Sequence, residues 1–338
     1  MGVNTLNPEY LLKGNIIKAL ITLALPIMGT AFMQMANQIV DMIWIGRLGS
    51  DSVASVGTAG FFVWLSMSII ALVQVGTEVK IAQKLGAGQV SQAKQFAGTA
   101  LYMAAAFGVA YGLFLILAKQ ELIGFFRLGA AKVERNAVSY LVIMASGMLF
   151  SFLNPVISSM FNGAGLSRLP FKVNGIGILA NIILDPVFIF VLGLGVRGAA
   201  MATVISQILV TGIFIFMLKR GRLFKSFALR QPFSMDTFKQ IFSLGFPVAS
   251  QRSLFTIFSI LIAKVIASFG PDAIAAQKIG VQIESITYMT AQGFAAALSA
   301  FVGQNFGAGQ YDRVKKGTLK AGQIMTLMAL ERRHYCIF

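Results

Sequence analysis

Cysteine, histidine and acidic residues are scarce in this chain of 338 residues. The only cysteine, Cys336, and the only histidine, His334, both fall in the last five positions. These counts exclude a disulfide framework, a His/Cys metal site, a thiol nucleophile and a Ser-His-Asp triad. Since no nucleotide-binding motif is present either, we expect a protein that is not an enzyme and has no cofactor.

Charge is also scarce, whereas apolar residues are abundant. Charged residues make up 12% of the chain, against about 25% in soluble proteins. Hydrophobic residues make up 57%, and the mean hydropathy is +0.76. A soluble fold could not bury this much apolar surface, so we expect a membrane protein. The net charge of +16 then indicates basic cytoplasmic loops rather than a nucleic-acid partner.

Long apolar runs predict the spans of an all-α membrane protein. A spanning helix needs about 20 mostly apolar residues. The sequence predicts eight complete spans, near 16–45, 53–77, 95–118, 136–161, 171–193, 196–219, 239–269 and 273–300, and the start of a ninth near 317. The N-terminal segment MGVNTLNPEYLLKGN is polar and does not have the pattern of a signal peptide.

Lysine and arginine are distributed unequally between the two sides of these spans. The N-terminus and the 2–3, 4–5, 6–7 and 8–9 loops carry seventeen Lys and Arg, and the opposite loops carry six. Cytoplasmic loops are normally the richer in Lys and Arg. The N-terminus and the 6–7 loop are therefore predicted to be cytoplasmic, in the inner membrane of a prokaryotic cell.

The chain contains an internal repeat at a separation of 221 residues. Pro26 matches Pro247, and IAQKLGAGQ at 81–89 matches VGQNFGAGQ at 302–310 without a gap. An even number of spans per copy gives both copies the same orientation, which is typical of transporters built as two parallel lobes. We predict an N-terminal lobe at 1–230 with spans 1–6, and an incomplete C-terminal lobe at 231–338 with spans 7–8 and the start of span 9.

The last residues depart from the repeat. Residues 331–338 read ERRHYCIF, whereas their counterparts at 110–117 read AYGLFLIL. Four polar or charged residues thus replace the middle of an apolar span. A shifted or broken reading frame explains this change, and the prediction is a C-terminally truncated chain. A non-functional remnant of a transporter is therefore one alternative.

Two carboxyl groups and their neighbours are the candidate functional residues. Asp41 and Asp185 are the only acidic residues expected well inside a span between residues 16 and 219, and such residues normally face a cavity or a partner. Asn181 lies one helical turn before Asp185, and Gln34 and Asn37 lie on the same face as Asp41.

Two prolines accompany these groups. Pro186 frees the carbonyl of Ile182, and Pro26 frees that of Thr22 and is a predicted hinge. Two carboxyl groups close together at low dielectric should not both ionise readily. Their charge state should therefore change when a proton or sodium ion binds. The alternative is that both merely satisfy hydrogen bonds between helices.

These motifs resemble the multidrug and toxic compound extrusion (MATE) family. The resemblance covers residues 10–325 and depends on LALPIMGTAFMQMANQIVDMIWIGRLG, the two GAGQ loops, NPVISSMFNGAGLSR and NIILDPVFIF. It implies a twelve-helix, two-lobe fold that exports small organic compounds, often cationic and lipophilic, in exchange for inward H⁺ or Na⁺.

Within the family the chain looks like the DinF-like branch. That resemblance implies a cation or proton site at Asp41, Asn181, Asp185 and the hydroxyl of Thr203. The NorM-like branch instead has an acidic residue on the seventh helix, and this chain has none between Asp236 and Asp272.

Other polar residues within the spans are weaker candidates. Asn154 and Gln207 could line a cavity, together with Gln34 and Asn37, or could simply pack. Arg252, Lys278 and Glu284 are predicted to form a structural charge network. A lipid-linked precursor flippase is a further alternative, but it would need basic residues at mid-span, and spans 1–6 have essentially none. We expect small organic substrates, no nucleic acid and a monomer.

Overall fold

The long apolar runs form long helices. The structure is a computed structural model, and it describes residues 9–126, 128, 130–220, 231–267 and 271–333. The helices are α1 (Glu9–Lys13), α2 (Ile16–Gly46), α3 (Ser50–Gly86), α4 (Val90–Leu117), α5 (Lys119–Gly124), α6 (Ala131–Ser146), α7 (Met148–Gly163), α8 (Arg168–Pro186), α9 (Val196–Arg220), α10 (Met235–Ala267), α11 (Pro271–Gly307) and α12 (Tyr311–Arg333). A π-helical turn, Val187–Val191, follows α8. The His334 and Cys336 positions lie outside the described residues.

Five described helices are long and apolar enough to cross a membrane: α2, α3, α4, α8 with its π-turn, and α9. The pair α6 and α7 would make a sixth span, and these two helices meet at an angle of 49°. The sequence predicted one helix over 136–161. The bend falls at Gly147 and not at Pro155, and Gly147 packs so closely on α9 that an added Cβ would lie 2.6 Å from Val204 Cγ2.

The third helix corrects one expectation about acidic residues. The sequence predicted a span at 53–77, which left Glu78 outside it. In the structure α3 continues to Gly86, and Glu78 is only 5% exposed. The helix continues because its last turns stay packed against α7 and α11, so their backbone groups and side chains remain covered. Asp41 and Asp185 are therefore not the only acidic residues inside the first spans.

The helices follow the sequence repeat in their bounds and in their loops. Helix α3 begins and ends 221 residues before α11, and α4 begins 221 residues before α12. Gly88 and Gly309 both have positive φ, of 72° and 71°. The backbone bond from Gln89 to Lys84 has its equivalent from Gln310 to Asn305, at 2.8 and 2.9 Å. The two GAGQ loops therefore have the same conformation.

The two copies of the repeat touch at a set of glycines that we call the repeat contact. Helix α3 packs on α10, and α2 packs on α11. A Cβ on Gly86 would lie 2.0 Å from the Gln304 carbonyl, and one on Gly307 would lie 2.0 Å from the Gln83 carbonyl. These two contacts are related by the repeat, because Gly307 is the counterpart of Gly86 and Gln304 is the counterpart of Gln83.

Polar groups also join the two copies across the repeat contact. Gln304 Nε2 donates to the Gly163 carbonyl over 2.8 Å, and Asn305 Nδ2 donates to the Leu11 carbonyl over 3.2 Å. Arg313 Nε donates to the same Leu11 carbonyl over 3.0 Å, and its guanidinium lies over the Phe301 ring. The second copy therefore binds carbonyl groups of α1 and of the end of α7.

Tyr10 of α1 bonds to the loop between α7 and α8, and the ionisation of its hydroxyl can be used to test this packing. Its hydroxyl donates to the Gly165 carbonyl over 2.9 Å. Burial raises the pKa of Tyr10 to about 12, with Arg168 acting in the opposite direction. The folded chain thus keeps the Tyr10 proton up to a higher pH than the unfolded chain does. The packing of α1 should therefore weaken as the pH rises above 10.

We expect the phenolate of Tyr10 to appear near pH 12 rather than near 10. The measurement is the phenolate absorbance of the wild-type chain minus that of Tyr10→Phe, titrated in detergent. A difference step near pH 10 would show that Tyr10 is not buried against α7 and α8.

Candidate functional site

Two polar pairs, one on α2 and one on α8, meet inside the first copy. Asn37 Nδ2 donates to Asp41 Oδ2 over 3.2 Å and to Asn181 Oδ1 over 2.8 Å. Asn181 Nδ2 donates to Asp185 Oδ1 over 3.3 Å. The spacing of four residues puts each pair on one helix face, and the packing of α2 on α8 brings the faces together. Amide groups therefore link the two carboxyl groups that the sequence singled out.

The carboxyl groups are also neighbours of each other, and both have oxygens without a donor. Asp41 and Asp185 lie within hydrogen-bonding reach of one another. Asp185 is 1% exposed and Asn181 is 3% exposed. Three buried oxygens in this group have no hydrogen-bond partner: Asn37 Oδ1, Asp41 Oδ1 and Asp185 Oδ2. The arrangement lacks positive charge, and a proton or a small cation would supply it.

Pro186 shapes the backbone directly after this group. It ends α8, and a π-helical turn takes over at Val187–Val191. Single π-turns are frequent at functional sites because they rearrange the hydrogen bonds of a helix without breaking it. The proline lacks an N–H, which removes one α-helical bond at this point. The predicted role of Pro186 as a hinge stays a prediction.

Tyr140 is a neighbour of the site that sequence reasoning missed. It lies on α6, packed against the apolar group around Ile45 and Val56, and it interacts electrostatically with both Asp41 and Asp185. No spacing within α6 relates a lone tyrosine to groups on α2 and α8. Only the packing of the three helices brings them together.

An aromatic group covers the site on the side of Arg47. The Trp44 ring packs edge-on against Phe190 with centroids 5.9 Å apart, and the Arg47 guanidinium lies 4.7 Å over the Trp44 ring. Trp44 is one turn after Asp41, and Phe190 lies in the π-turn after Asp185. The carboxyl pair is therefore screened from that end of the helices by rings from both elements.

Other predicted residues have different neighbours. The Thr203 hydroxyl donates to the Ala199 carbonyl one turn back over 3.0 Å, and Gln34 is exposed on α2. Helix α2 runs through Pro26 without a break, and the Thr30 hydroxyl donates to the Pro26 carbonyl. No described hydrogen bond joins Thr203 or Gln34 to the carboxyl groups, so their predicted roles stay predictions.

Asn154 and Gln207 form a second polar network, between α7 and α9. Asn154 Nδ2 donates to the Gln207 carbonyl over 3.0 Å, and Thr211 Oγ1 donates to Asn154 Oδ1 over 2.6 Å. Ser151 Oγ donates to Gln207 Oε1 over 2.7 Å. Sequence reasoning missed Ser151 and Thr211, since hydroxyl residues inside membrane helices commonly bond their own backbone. Of the predicted charge network, the Lys278 and Glu284 side chains lie outside the described residues.

Comparison with known proteins gives consistent results over most of the chain. The MatE family model matches residues 26–187 and 247–330. The chain is 30% identical over 318 residues to a probable multidrug resistance protein NorM of Thermotoga maritima, covering 92% of this chain and 68% of that protein. A solved MATE structure in the straight conformation has a TM-score of 0.89 and 26% identity, covering 99% and 75%. An outward-facing multidrug resistance MATE transporter of the MOP superfamily has a TM-score of 0.87 and 25% identity, covering 98% and 74%.

These likenesses, together with the helical bundle and its buried carboxyl pair, define a multi-pass membrane transporter. The chain belongs to the MATE family. Members of this family are transporters and not enzymes, and the multidrug resistance relatives support efflux as the activity. The predictions of an all-helical membrane protein, of the family and of a non-enzyme are confirmed.

Proposed function

We propose that the chain is a secondary active antiporter that exports small organic compounds, often cationic and lipophilic, in exchange for inward H⁺ or Na⁺. The observation that carries this proposal is the group Asn37, Asp41, Asn181 and Asp185, with its three buried oxygens that lack donors. Buried acceptors without partners are rare in folded proteins. A site with a surplus of them is suited to take up and release a small positive charge.

The coupling ion acts as a substrate of this site. A proton held between Asp41 and Asp185 relieves the repulsion of two adjacent carboxylates at low dielectric. A sodium ion would instead take the carboxylate and amide oxygens as hard ligands, and the Thr203 hydroxyl is proposed as a further ligand. Either ion lowers the negative charge near α2 and so opposes the binding of a cationic compound. Ion and exported compound then bind in alternation.

The remaining assignments belong to the same proposal. Gln34, Asn37, Asn154 and Gln207 line the cavity that receives the compound, and Pro26 and Pro186 are the hinges of α2 and α8. Residues 1–230 form the N-terminal lobe, and residues 231–338 belong to the C-terminal lobe. The chain is monomeric, its N-terminus is cytoplasmic, and it belongs to the DinF-like branch. The four-residue pairs on α2 and α8, both in the first copy, support that branch.

In this orientation the described close contacts between the copies lie towards the cytoplasmic ends of the helices. The repeat contact joins residues 72–86 to residues 241–245 and 303–307, and Gly293 packs on Met28 of α2. Closure at this end and access at the other is the arrangement expected of an outward-facing transporter. Rocking of one copy against the other, with the repeat contact as the region that opens, provides alternating access.

Transport driven by separate gradients tests the proposal and names the ion. Proteoliposomes containing the chain and loaded with the dye cation ethidium should lose the dye faster when an opposing pH gradient or an opposing Na⁺ gradient is imposed. An ionophore that dissipates the effective gradient should return the rate to that of protein-free liposomes. Equal rates with and without both gradients would contradict coupled antiport.

A further inference from the structure

A buried glutamate lies at the repeat contact, far from the coupling site. Glu78 is eight residues before the end of α3, about 12 Å along the helix axis from Gly86. It is 5% exposed, and its Oε1 has no hydrogen-bond partner. An ionised carboxylate in such a place is costly unless it is paired. The proposed coupling mechanism makes no use of this group.

The backbone of Glu78 packs on α7, and the next turn of α3 packs on α11 of the second copy. A Cβ on Gly163 of α7 would lie 2.5 Å from the Glu78 carbonyl oxygen, and the Gly163 carbonyl accepts the bond from Gln304 of the second copy. Ala82 lies one turn after Glu78 and packs closely on α11. A Cβ added at Gly303 would lie 2.7 Å from the Ala82 Cβ. The face of α3 that carries Glu78 and Ala82 is therefore covered by α7 and α11 together, and separation of α3 from α11 would uncover it on one side.

The polar side chains where α7 meets α11 have too many acceptors and too few donors. Asn162 is adjacent to Gly163, whose carbonyl accepts from Gln304 of α11, and Asn305 follows Gln304 in the chain. The side-chain oxygens of all three are buried and have no donor. A neutral carboxyl group provides an O–H donor, whereas an ionised one adds only acceptors. The composition of this layer thus favours the protonated form of Glu78.

None of the titratable groups described on the surrounding elements forms an ion pair with Glu78. They are Lys80 and Lys84 on α3, Lys13 and Tyr10 on α1, Lys18 on α2, Lys94 on α4, Arg168 on α8, Asp236 and Lys239 on α10, and Asp312, Arg313, Lys315 and Lys316 on α12. Lys80 and Lys84 each lie 6.0 Å over the Phe96 ring, and Arg313 bonds to carbonyl oxygens. The described part of α11 from 288 to 307 has no charged residue. No described charge lies close enough to act on the Glu78 carboxyl.

We propose that Glu78 is a second proton-binding site, which holds a proton while α3 and α11 are packed together and releases it when that contact opens to water. The closed contact then binds one more proton than the open one. By linkage it is favoured at low pH and weakens as the pH rises. The proposal depends on the proposed transport cycle only for its biological use, since proton binding is a property of the contact itself.

An introduced thiol can measure the opening of this contact. Ala82 is fully buried, so a cysteine there reacts with N-ethylmaleimide only after α3 and α11 separate. The chain has one natural cysteine, and the background is therefore Cys336→Ser with Ala82→Cys, in the full chain purified in detergent. The labelling rate is compared with and without Glu78→Gln at each pH, so that the thiol's own ionisation cancels.

The labelling rate of the chain that keeps Glu78 is divided by that of the Glu78→Gln variant. This ratio should be constant at low pH and then rise with pH, by up to about tenfold per pH unit. Glu121→Gln, at an exposed glutamate on α5, should leave the rise unchanged. A ratio that is flat from acid to alkaline pH overturns the proposal.

Two further readouts keep the proposal falsifiable if Glu78→Gln does not fold. Glu78→Met also removes the ionisable group and should give the same flat reference. In addition, the labelling rate of the chain that keeps Glu78 can be divided by the labelling rate of glutathione at the same pH. This quotient should rise with pH, and a constant quotient overturns the proposal. None of these rates requires transport, so a failure of coupled antiport at Asp41 and Asp185 would leave this result unchanged.

Discussion

Replacing Asp41 or Asp185 by asparagine is expected to abolish coupled transport while leaving the chain folded and inserted in the membrane. Each substitution keeps the shape of the side chain and removes one group that can take up a proton or ligate a cation as an anion. Efflux of ethidium from proteoliposomes should fall to the level of protein-free liposomes in both variants. The remaining carboxyl group cannot complete the exchange, because the proposed site requires two acids within reach of each other.

Stability should change in the opposite direction to activity. The amide introduced at position 41 or 185 provides an N–H₂ donor beside buried oxygens that lack one. Satisfying a buried acceptor contributes about 1 kcal/mol, and the like-charge repulsion of the pair disappears. Thermal unfolding in detergent should therefore occur at the same temperature or a higher one. A loss of transport that accompanies a large loss of stability would indicate a structural role instead.

The matched control for these variants is Asp51→Asn. Asp51 is an exposed acid in the first turn of α3, so the substitution removes the same charge at a distance from the pair. Its efflux should equal that of the wild-type chain. Binding of ²²Na⁺ to the purified protein gives a readout that needs no transport, and it should be lost in both site variants if sodium is the ion. Retained efflux in Asp41→Asn and in Asp185→Asn would refute the assigned site.

The pairs at the site could be predicted because their geometry is local. A spacing of four residues places Asn37 with Asp41, and Asn181 with Asp185, on one face of a helix, whatever the rest of the chain does. The cost of a carboxyl group in the membrane then predicts that such faces meet a partner. The meeting of α2 with α8 brings the two pairs together through the bond from Asn37 to Asn181. The presence of long helices was predictable from runs of apolar residues, although α3 and α11 extend beyond the predicted spans and the span at 136–161 is divided into α6 and α7.

What the sequence left open depends on packing between distant segments. Tyr140 interacts with the carboxyl pair only because α6 packs near the ends of α2 and α8, and Thr211 bonds to Asn154 only because α9 packs on α7. Gly147, at the bend between α6 and α7, packs on Val204 of α9. Glu78 was missed because a span of about 20 residues ends before it. Helix α3 has 37 residues and stays buried beyond that limit through contacts with the second copy.

The repeat contact joins the two parts of the proposal. Ion binding at Asp41 and Asp185 concerns α2 and α8, and α2 also packs on α11 of the second copy. We therefore expect a shift of α2 to move α11, and with it the surface that opens in the proposed cycle. The glycines of this surface allow backbones to pack without side chains between them, as is typical of membrane helices. They should consequently be the positions least tolerant of added volume.

Alanine at these glycines is expected to destabilise the chain strongly, with Gly245→Ala and Gly86→Ala the most severe. A Cβ on Gly245 would lie 1.7 Å from the Leu72 carbonyl oxygen, and one on Gly86 would lie 2.0 Å from that of Gln304. Each obstacle is backbone inside a helix, which cannot turn away as a side chain can. Overpacking of this kind costs about 1–3 kcal/mol or more, and here it also forces α3 away from α10 or α11.

Gly212→Ala is the matched control, because an added Cβ there has nothing within 4 Å. Alanine at an unobstructed helical glycine stabilises by up to about 1 kcal/mol. Thermal unfolding in detergent should therefore shift down for Gly245→Ala and Gly86→Ala, and stay level or shift up for Gly212→Ala. In the Ala82→Cys background the two destabilised variants should also label faster, because the contact that covers position 82 is held open. Equal melting temperatures for all three variants would mean that the two copies do not approach each other as closely as these helices indicate.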